Sequence, residues 1–199
     1  MLPVSLTRKA SSKQRSIPED ATVLCHAGLI ANRGQTELLE ALRSLGDESV
    51  WLLYIGAGEQ EATLDRLIEQ SGIGARVIRA GYLEGDALVD AYRCSDLAFV
   101  GRLGNDAGGR IALEPMACGL AVLGNTEGAL EALVKDDHGW PCQVLEADEI
   151  TKRMREALAL PREALKEKGR RALEWVKSNR SFAAEAQATV SFYEAISGA

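Results

Sequence analysis

The sequence contains no cysteine pair at CxxC spacing. Its four cysteines, Cys25, Cys94, Cys118 and Cys142, are scattered, and only two histidines are present. That excludes a disulfide framework and a zinc site, and fits reduced, mostly buried thiols of a cytoplasmic protein. There is no excess of positive charge: 23 Lys and Arg stand against 29 Asp and Glu, for a net charge of −6. A general nucleic-acid binder is therefore not expected. No apolar run approaches the length that spans a bilayer, and the residues before the first expected strand do not read as a signal peptide. No GxxxxGK[ST] occurs, which excludes a P-loop kinase. The run "GAGEQE" supplies Gly56 and Gly58, but Glu61 stands where GxGxxG needs its third glycine. This run also follows the second expected strand instead of the first, so no redox dinucleotide is expected. Internal repeats and low-complexity segments are missing as well.

What is present is alternation. Residues 1–20 are polar and aperiodic, with Arg8, Lys9, Lys13 and Arg15 ahead of Glu19 and Asp20, and read as a linker or tail with a short strand near its start. Beyond it, short apolar runs alternate with helical patterns. "TVLCHAG", "VWLLYIGAG", "ARVIRAG", "DLAFVG" and "LAVLGN" read as buried strands, and "HGWPCQ" as a last short extended piece. Between them lie "GQTELLEALRSL", with Leu38, Leu39, Leu42 and Leu45 at helical spacing and Thr36 as the expected N-cap, then "EQEATLDRLIEQSG", "EGDALVDAYRCS", "RIALEPMACG" and "GALEALV". From about Ala147 the pattern is helical only, broken near Pro161. Nearly continuous apolar strands separated by amphipathic helices predict a doubly wound α/β domain over residues 21–199: a parallel sheet covered on both faces, with extra C-terminal helices.

In such a fold, ligands bind beyond the carboxyl ends of the strands. Three glycine-bearing loops fall there: "HAGLIANRGQ" with Gly28 and Gly34, "IGAGEQ" with Gly56 and Gly58, and "GNDAGGR". Glycine lets backbone approach a ligand, and N–H groups at a following helix start favour an anion. A phosphorylated ligand is the expectation. In "GNDAGGRIALEPMACG", Gly108 and Gly109 suit a tight turn opening a helix, Asp106 suits hydroxyl recognition, and Glu114 sits inside an apolar helix where an acid needs a partner. At helical rise the two acids stand on the order of 12 Å apart. Two acceptors that far apart, with N–H donors between them, suit a ligand with hydroxyls at both ends and phosphate in the middle, the layout of a sugar nucleotide. His26, His138, Trp140 and Trp175 read as structural residues.

The ordered run "HAGLIANRGQTELLEAL … LLYIGAGEQEATL … VIRAGYLEGDALVDAYRCSDLAFV … NDAGGRIALEPMACGLAVLG … GALEALVKDDHGW … FYEAI" resembles the C-terminal, donor-binding domain of family-4 retaining glycosyltransferases of GT-B fold. The resemblance covers nearly everything after about Thr22. That family carries an acid-x7-acid motif, usually Glu at both ends, followed by a small-residue run; here it is Asp106 to Glu114, then "EPMACGLAV". The resemblance implies that Asp106 contacts the donor sugar and Glu114 the ribose hydroxyls. It implies too that the Gly108–Gly109 turn offers N–H groups to sugar or phosphate. The family's Lys-Gly pair that holds the diphosphate is matched by Arg33 and Gly34, and a guanidinium is a sound substitute against phosphate. Asp106 and Arg33 are thus the expected catalytic residues; Glu114, Gly108, Gly109, Arg110, Gly28, Gly34, Gly56 and Gly58 are the expected donor-binding ones.

Some positions depart from the family. The first acid is one methylene shorter, "AGG" replaces a Gly-Phe-Gly, and Arg110 stands where an aliphatic residue is common. A second cation expected soon after the first strand is replaced by Gly28 or Leu29, and Arg110 is the candidate to compensate. Glu131, in "GALEAL", falls where the family often carries a Glu, and a surface helix acid fits equally. The resemblance implies no cofactor and no metal, a nucleoside diphosphate sugar as substrate, and an acceptor-binding N-terminal domain as partner, supplied by a longer chain or a separate polypeptide. The terminal segment with Phe182, Phe192 and Tyr193 resembles the one that crosses back to that domain. Peripheral membrane contact through the full enzyme and self-association are further expectations. Two alternatives remain open: a non-catalytic binding or assembly module of the same fold, and a nucleotide-sugar epimerase.

Overall fold

The computed structural model describes residues 9–10, 15–29, 33–101 and 109–197. Asp106 and Gly108 lie outside the described residues. In the polar head, β1 (Lys9–Ala10) and β2 (Arg15–Ser16) pair antiparallel. The chain then runs β3 (Thr22–Ala27), α1 (Gln35–Leu45), β4 (Val50–Ile55), α2 (Glu61–Gln70), a 3-10 turn (Gly74–Arg76), β5 (Val77–Gly81), α3 (Gly85–Arg93) and β6 (Leu97–Val100). It continues with α4 (Arg110–Ala117), β7 (Ala121–Asn125), α5 (Leu130–Leu133), β8 (Gly139–Cys142), α6 (Ala147–Leu158), α7 (Arg162–Asn179) and α8 (Phe182–Ser197).

Among the described residues, β3 to β8 form one sheet in the order β5-β4-β3-β6-β7-β8, with every pairing parallel. This is the expected doubly wound α/β architecture, and the short extended "GWPC" proves to be its edge strand. Alternate residues of each strand feed two separate cores. Leu24, Leu52, Tyr54, Leu97, Phe99 and Leu123 point to the side covered by α1, α2 and α6, where Leu38, Leu42, Leu64, Ile150 and Met154 meet them. Val23, Cys25, Leu53, Ala98 and Val122 point to the other, where Tyr92, Ile111, Met116, Leu130 and Ala172 close over them. The strands are mostly apolar because both faces are buried, the parallel-sheet pattern.

Two local expectations change. The N-cap of α1 is Gly34, in the left-handed region at φ 80°, while Thr36 lies exposed inside the first turn. A left-handed residue ends the loop more sharply than a threonine side chain can, and glycine adopts it without a Cβ penalty. The C-terminal helices break at Pro161, as expected, and again at Arg180, where φ is −134°. There Ser181 Oγ accepts the Ala184 N–H at 3.2 Å and starts α8, a serine cap that the periodicity did not reveal.

Helix α7 reaches the sheet by a close backbone approach. Gly169 is buried, and a Cβ there would overlap the Gly119 carbonyl that leads into β7. A glycine inside an ordinary helix costs roughly 1 kcal/mol against alanine, so Gly169→Ala on an open face would stabilise. Here the overlap wins. We expect Gly169→Ala to destabilise by about 1–3 kcal/mol, the usual cost of overpacking, measured by urea unfolding. A gain in stability would contradict this packing.

Candidate functional site

The carboxyl ends of β3, β4 and β5 and the starts of α3 and α4 enclose a cleft of about 700 Å³. Its lining includes Gly28 and Arg33 after β3, Gly56 and Ala57 after β4, Tyr82 to Gly85 after β5, Leu88 and Tyr92 on α3, and Arg110, Ile111 and Glu114 on α4. The ends of the three strands are laced together by backbone hydrogen bonds. Gly28 N–H donates to the Ile55 carbonyl at 2.8 Å, and Gly56 N–H to the Gly81 carbonyl at 2.7 Å. Both glycines have positive φ, 85° and 109°, and a Cβ on Gly56 would lie 3.2 Å from Gly28 N. Their N–H groups are therefore spent inside the protein; what they contribute to the cleft is a floor without side chains.

Arg33 lies on this floor. A Cβ on Gly28 would sit 3.2 Å from Arg33 Nη1, so the guanidinium lies directly over that glycine. Three contacts hold its backbone. Tyr54 Oη donates to the Gln35 carbonyl at 2.7 Å, Gly34 is wedged between Phe99 and Leu145, and Gly101 leaves just enough room for the Arg33 carbonyl. A side chain at Gly101 would overlap that carbonyl. The loop after β3 is thus seated against the end of β6, which sets where the Arg33 cation can reach.

Across the cleft, α4 presents Glu114. Tyr92 Oη donates to its Oε2 at 3.2 Å, and Arg110 Nε lies 3.6 Å from its Oε1, an i,i+4 pair. The partner that an acid in "RIALEPMACG" requires is therefore mainly a tyrosine from the preceding helix. Gly109 precedes α4 in the left-handed conformation at φ 68°, which aims the first N–H groups of the helix out of its start.

The structure thus brings together Gly28, Arg33, Gly56, Arg110 and Glu114 of the expected site residues, with Gly109 adjacent. Gly34 and Gly58 are not in the lining. Gly34 packs beneath the loop, and Gly58 donates its N–H to Glu61 Oε1 at 2.8 Å while its carbonyl accepts from Glu61 N, capping α2. Glu131 borders a different, smaller hollow with Thr126, Lys135 and Gln143. Sequence reasoning missed Tyr82, Leu83, Glu84, Leu88 and Tyr92. Tyr92 follows Leu88 at i+4 and reads as core; the usable signal was that a buried tyrosine hydroxyl needs a partner. Among the described residues no three His, Cys, Asp or Glu are grouped to hold a metal ion, and no helix is long and apolar enough to cross a membrane.

The chain is thus a doubly wound α/β domain in which Arg33 and Glu114 line one cleft at the strand ends. The family model described as glycosyl transferases group 1 matches residues 7–172, and the chain belongs to that family. A D-inositol 3-phosphate glycosyltransferase of Xylanimonas cellulosilytica is 30% identical over 142 residues, covering 68% of this chain and 34% of the relative. A lipopolysaccharide 1,2-N-acetylglucosaminetransferase of Salmonella typhimurium is 33% identical over 137 residues, covering 62% and 35%. The chain thus spans about a third of the length of these two relatives. Among solved structures, HepE of Anabaena in complex with UDP and glucose superposes with a TM-score of 0.73 at 21% identity, over 87% of this chain and 48% of that one. The C-terminal domain of the group 1 protein LpcC from Francisella tularensis superposes with a TM-score of 0.70 at 18% identity, over 90% of this chain and 100% of that one. These likenesses establish the GT-B type of fold.

Beneath the cleft floor, His26 is fully buried, its ring 5.5 Å from that of Phe99 and 5.9 Å from that of Tyr54, with Nδ1 3.2 Å from the Phe99 carbonyl. Burial pulls its pKa down to about 4, opposed by the Phe99 carbonyl and assisted by the Arg33 charge. The neutral ring is therefore the folded form at neutral pH. A depressed histidine pKa means that the unfolded chain binds the extra proton first. Stability from this group is present above pH 6.5 and is lost as pH falls towards 4. The expected loss is about 3 kcal/mol. With His138→Gln in place one histidine remains, and its ring-proton resonance should titrate near pH 4; a midpoint near 6.5 would refute the assignment.

Proposed function

We propose that this domain is the nucleoside diphosphate sugar binding part of a retaining, metal-independent glycosyltransferase that moves a hexose-type sugar to an acceptor hydroxyl. The observation that carries this reading is the pairing of Arg33 and Glu114 within one cleft at the strand ends. Arg33 neutralises the diphosphate and stabilises it as it leaves, the dominant electrostatic task in such a transfer. Glu114 accepts from ribose hydroxyls. Arg110 is 81% exposed beside Glu114 and supplies a second cation to the phosphates. Backbone N–H groups at the start of α4 add donors, and Asp106 is assigned to the donor sugar. No cofactor is required in this scheme.

The acceptor belongs to sequence outside these 199 residues, a reading supported by the fraction of the relatives that the chain spans. The apolar side chains of α8, with Phe182 99% exposed and Phe192 and Tyr193 each 62% exposed, fit a contact with that part. The cleft favours a ligand-binding domain over a purely structural module, and the group 1 family match with its glycosyltransferase relatives favours transfer over epimerisation.

Calorimetric titration of the protein with UDP, GDP and ADP tests the reading. One nucleotide is expected to saturate. Arg33→Ala and Glu114→Ala should each weaken it about ten- to a hundredfold, matching about 1.5–3 kcal/mol for a hydrogen bond to a charged group. Binding unaffected by either change would overturn the assignment, and binding of none of the three would favour the non-catalytic module.

A further inference from the structure

The Tyr92 side chain is only 2% exposed, yet its hydroxyl edge reaches the cleft. Its ring belongs to the core under α3 and α4, so the hydroxyl has little freedom to move. Burial, with the Cys25 and Glu114 sites nearby, pushes the phenol pKa well above its ordinary value. The group is therefore a permanent donor, and its acceptor is Glu114 Oε2 at 3.2 Å. The other carboxylate oxygen faces Arg110 at 3.6 Å, and Arg110 is 81% exposed. An exposed pair of this kind is weak and is readily exchanged for a ligand.

The two oxygens of Glu114 are thus held unequally. One is tied to a rigid buried ring; the other borders an exposed surface cation that a phosphate can draw away. A glutamate on a helix otherwise samples several rotamers, and ordering it on binding costs free energy. We infer that Tyr92 is a positioning residue: it presets the Glu114 carboxylate so that its Oε1 edge meets the paired hydroxyls of a ribose, and so makes the cleft select ribonucleotides over deoxyribonucleotides. This inference rests on the reading above that Glu114 takes the ribose. A vicinal diol offers two donors to one carboxylate, and that match depends on carboxylate orientation in a way that a single hydroxyl contact does not.

Tyr92→Phe keeps the ring and removes only the donor. The experiment measures calorimetric affinity for whichever of UDP, GDP and ADP binds tightest, and for its 2′,3′-dideoxy counterpart, with the natural protein, Tyr92→Phe and Glu114→Gln. The natural protein should prefer the ribonucleotide. Tyr92→Phe should weaken the ribonucleotide roughly three- to tenfold, within the range for residues sharing one hydrogen-bond network, and leave the dideoxy form unchanged. Glu114→Gln should lower the preference in the same direction. Equal weakening of both nucleotides, or an unchanged preference in Tyr92→Phe, would mean a merely structural tyrosine and would overturn the inference while leaving the donor site intact. No preference in the natural protein would overturn the ribose assignment of Glu114, and this inference with it.

Discussion

Every feature of the cleft depends on a sheet that is buried on both sides. Parallel strands place all their carboxyl ends at one edge, and covering both faces with helices leaves that edge as the place where loops can gather. The central strands β3 and β6 carry this constraint most directly. Leu24 and Phe99 serve one core while Cys25 and Ala98 serve the other, so neither strand can slip by a residue without swapping large and small side chains between the two cores. The register in turn fixes where Gly28 and Gly101 emerge, and therefore where Arg33 is seated.

The polar groups of the site are supported from the same two cores. On the side of α1, Tyr54 and Phe99 hold the backbone around Arg33, and His26 fills the space beneath. On the side of α3 and α4, Tyr92 carries its hydroxyl out to Glu114. Each face of the sheet thus supplies one wall: a cation from one core and a carboxylate from the other. Large rigid aromatics suit this role because they combine apolar burial with a polar tip.

Much of this was legible in the residues. The alternation of apolar runs with helical periods gave the layers, because burial on two faces leaves few polar positions in the strands. The asymmetry of "GNDAGGRIALEPMACG" marked Glu114, because an acid in an apolar helix must be satisfied by something. The partner was not legible: Tyr92 lies 22 positions away, and only the packing of α3 against α4 brings them together. The roles of the glycines were also hidden. Gly28 and Gly56 turn out to line the cleft with their N–H groups already used, while Gly34 and Gly58 shape turns outside it. Four glycines in similar loops look alike in sequence because the difference lies in what each meets across the fold.

The amino-acid sequence by itself determined the α/β class, the order of the sheet strands and the helices between them, and the acid and arginine expected at the strand ends. Those follow from local periodicity and from residue chemistry, which need no knowledge of neighbours. Tertiary structure alone decided which loops converge, which oxygen of Glu114 is held and by what, and how closely Arg33 approaches the glycine floor. These depend on contacts between segments far apart in the chain, and such contacts exist only once the two cores have closed on the sheet.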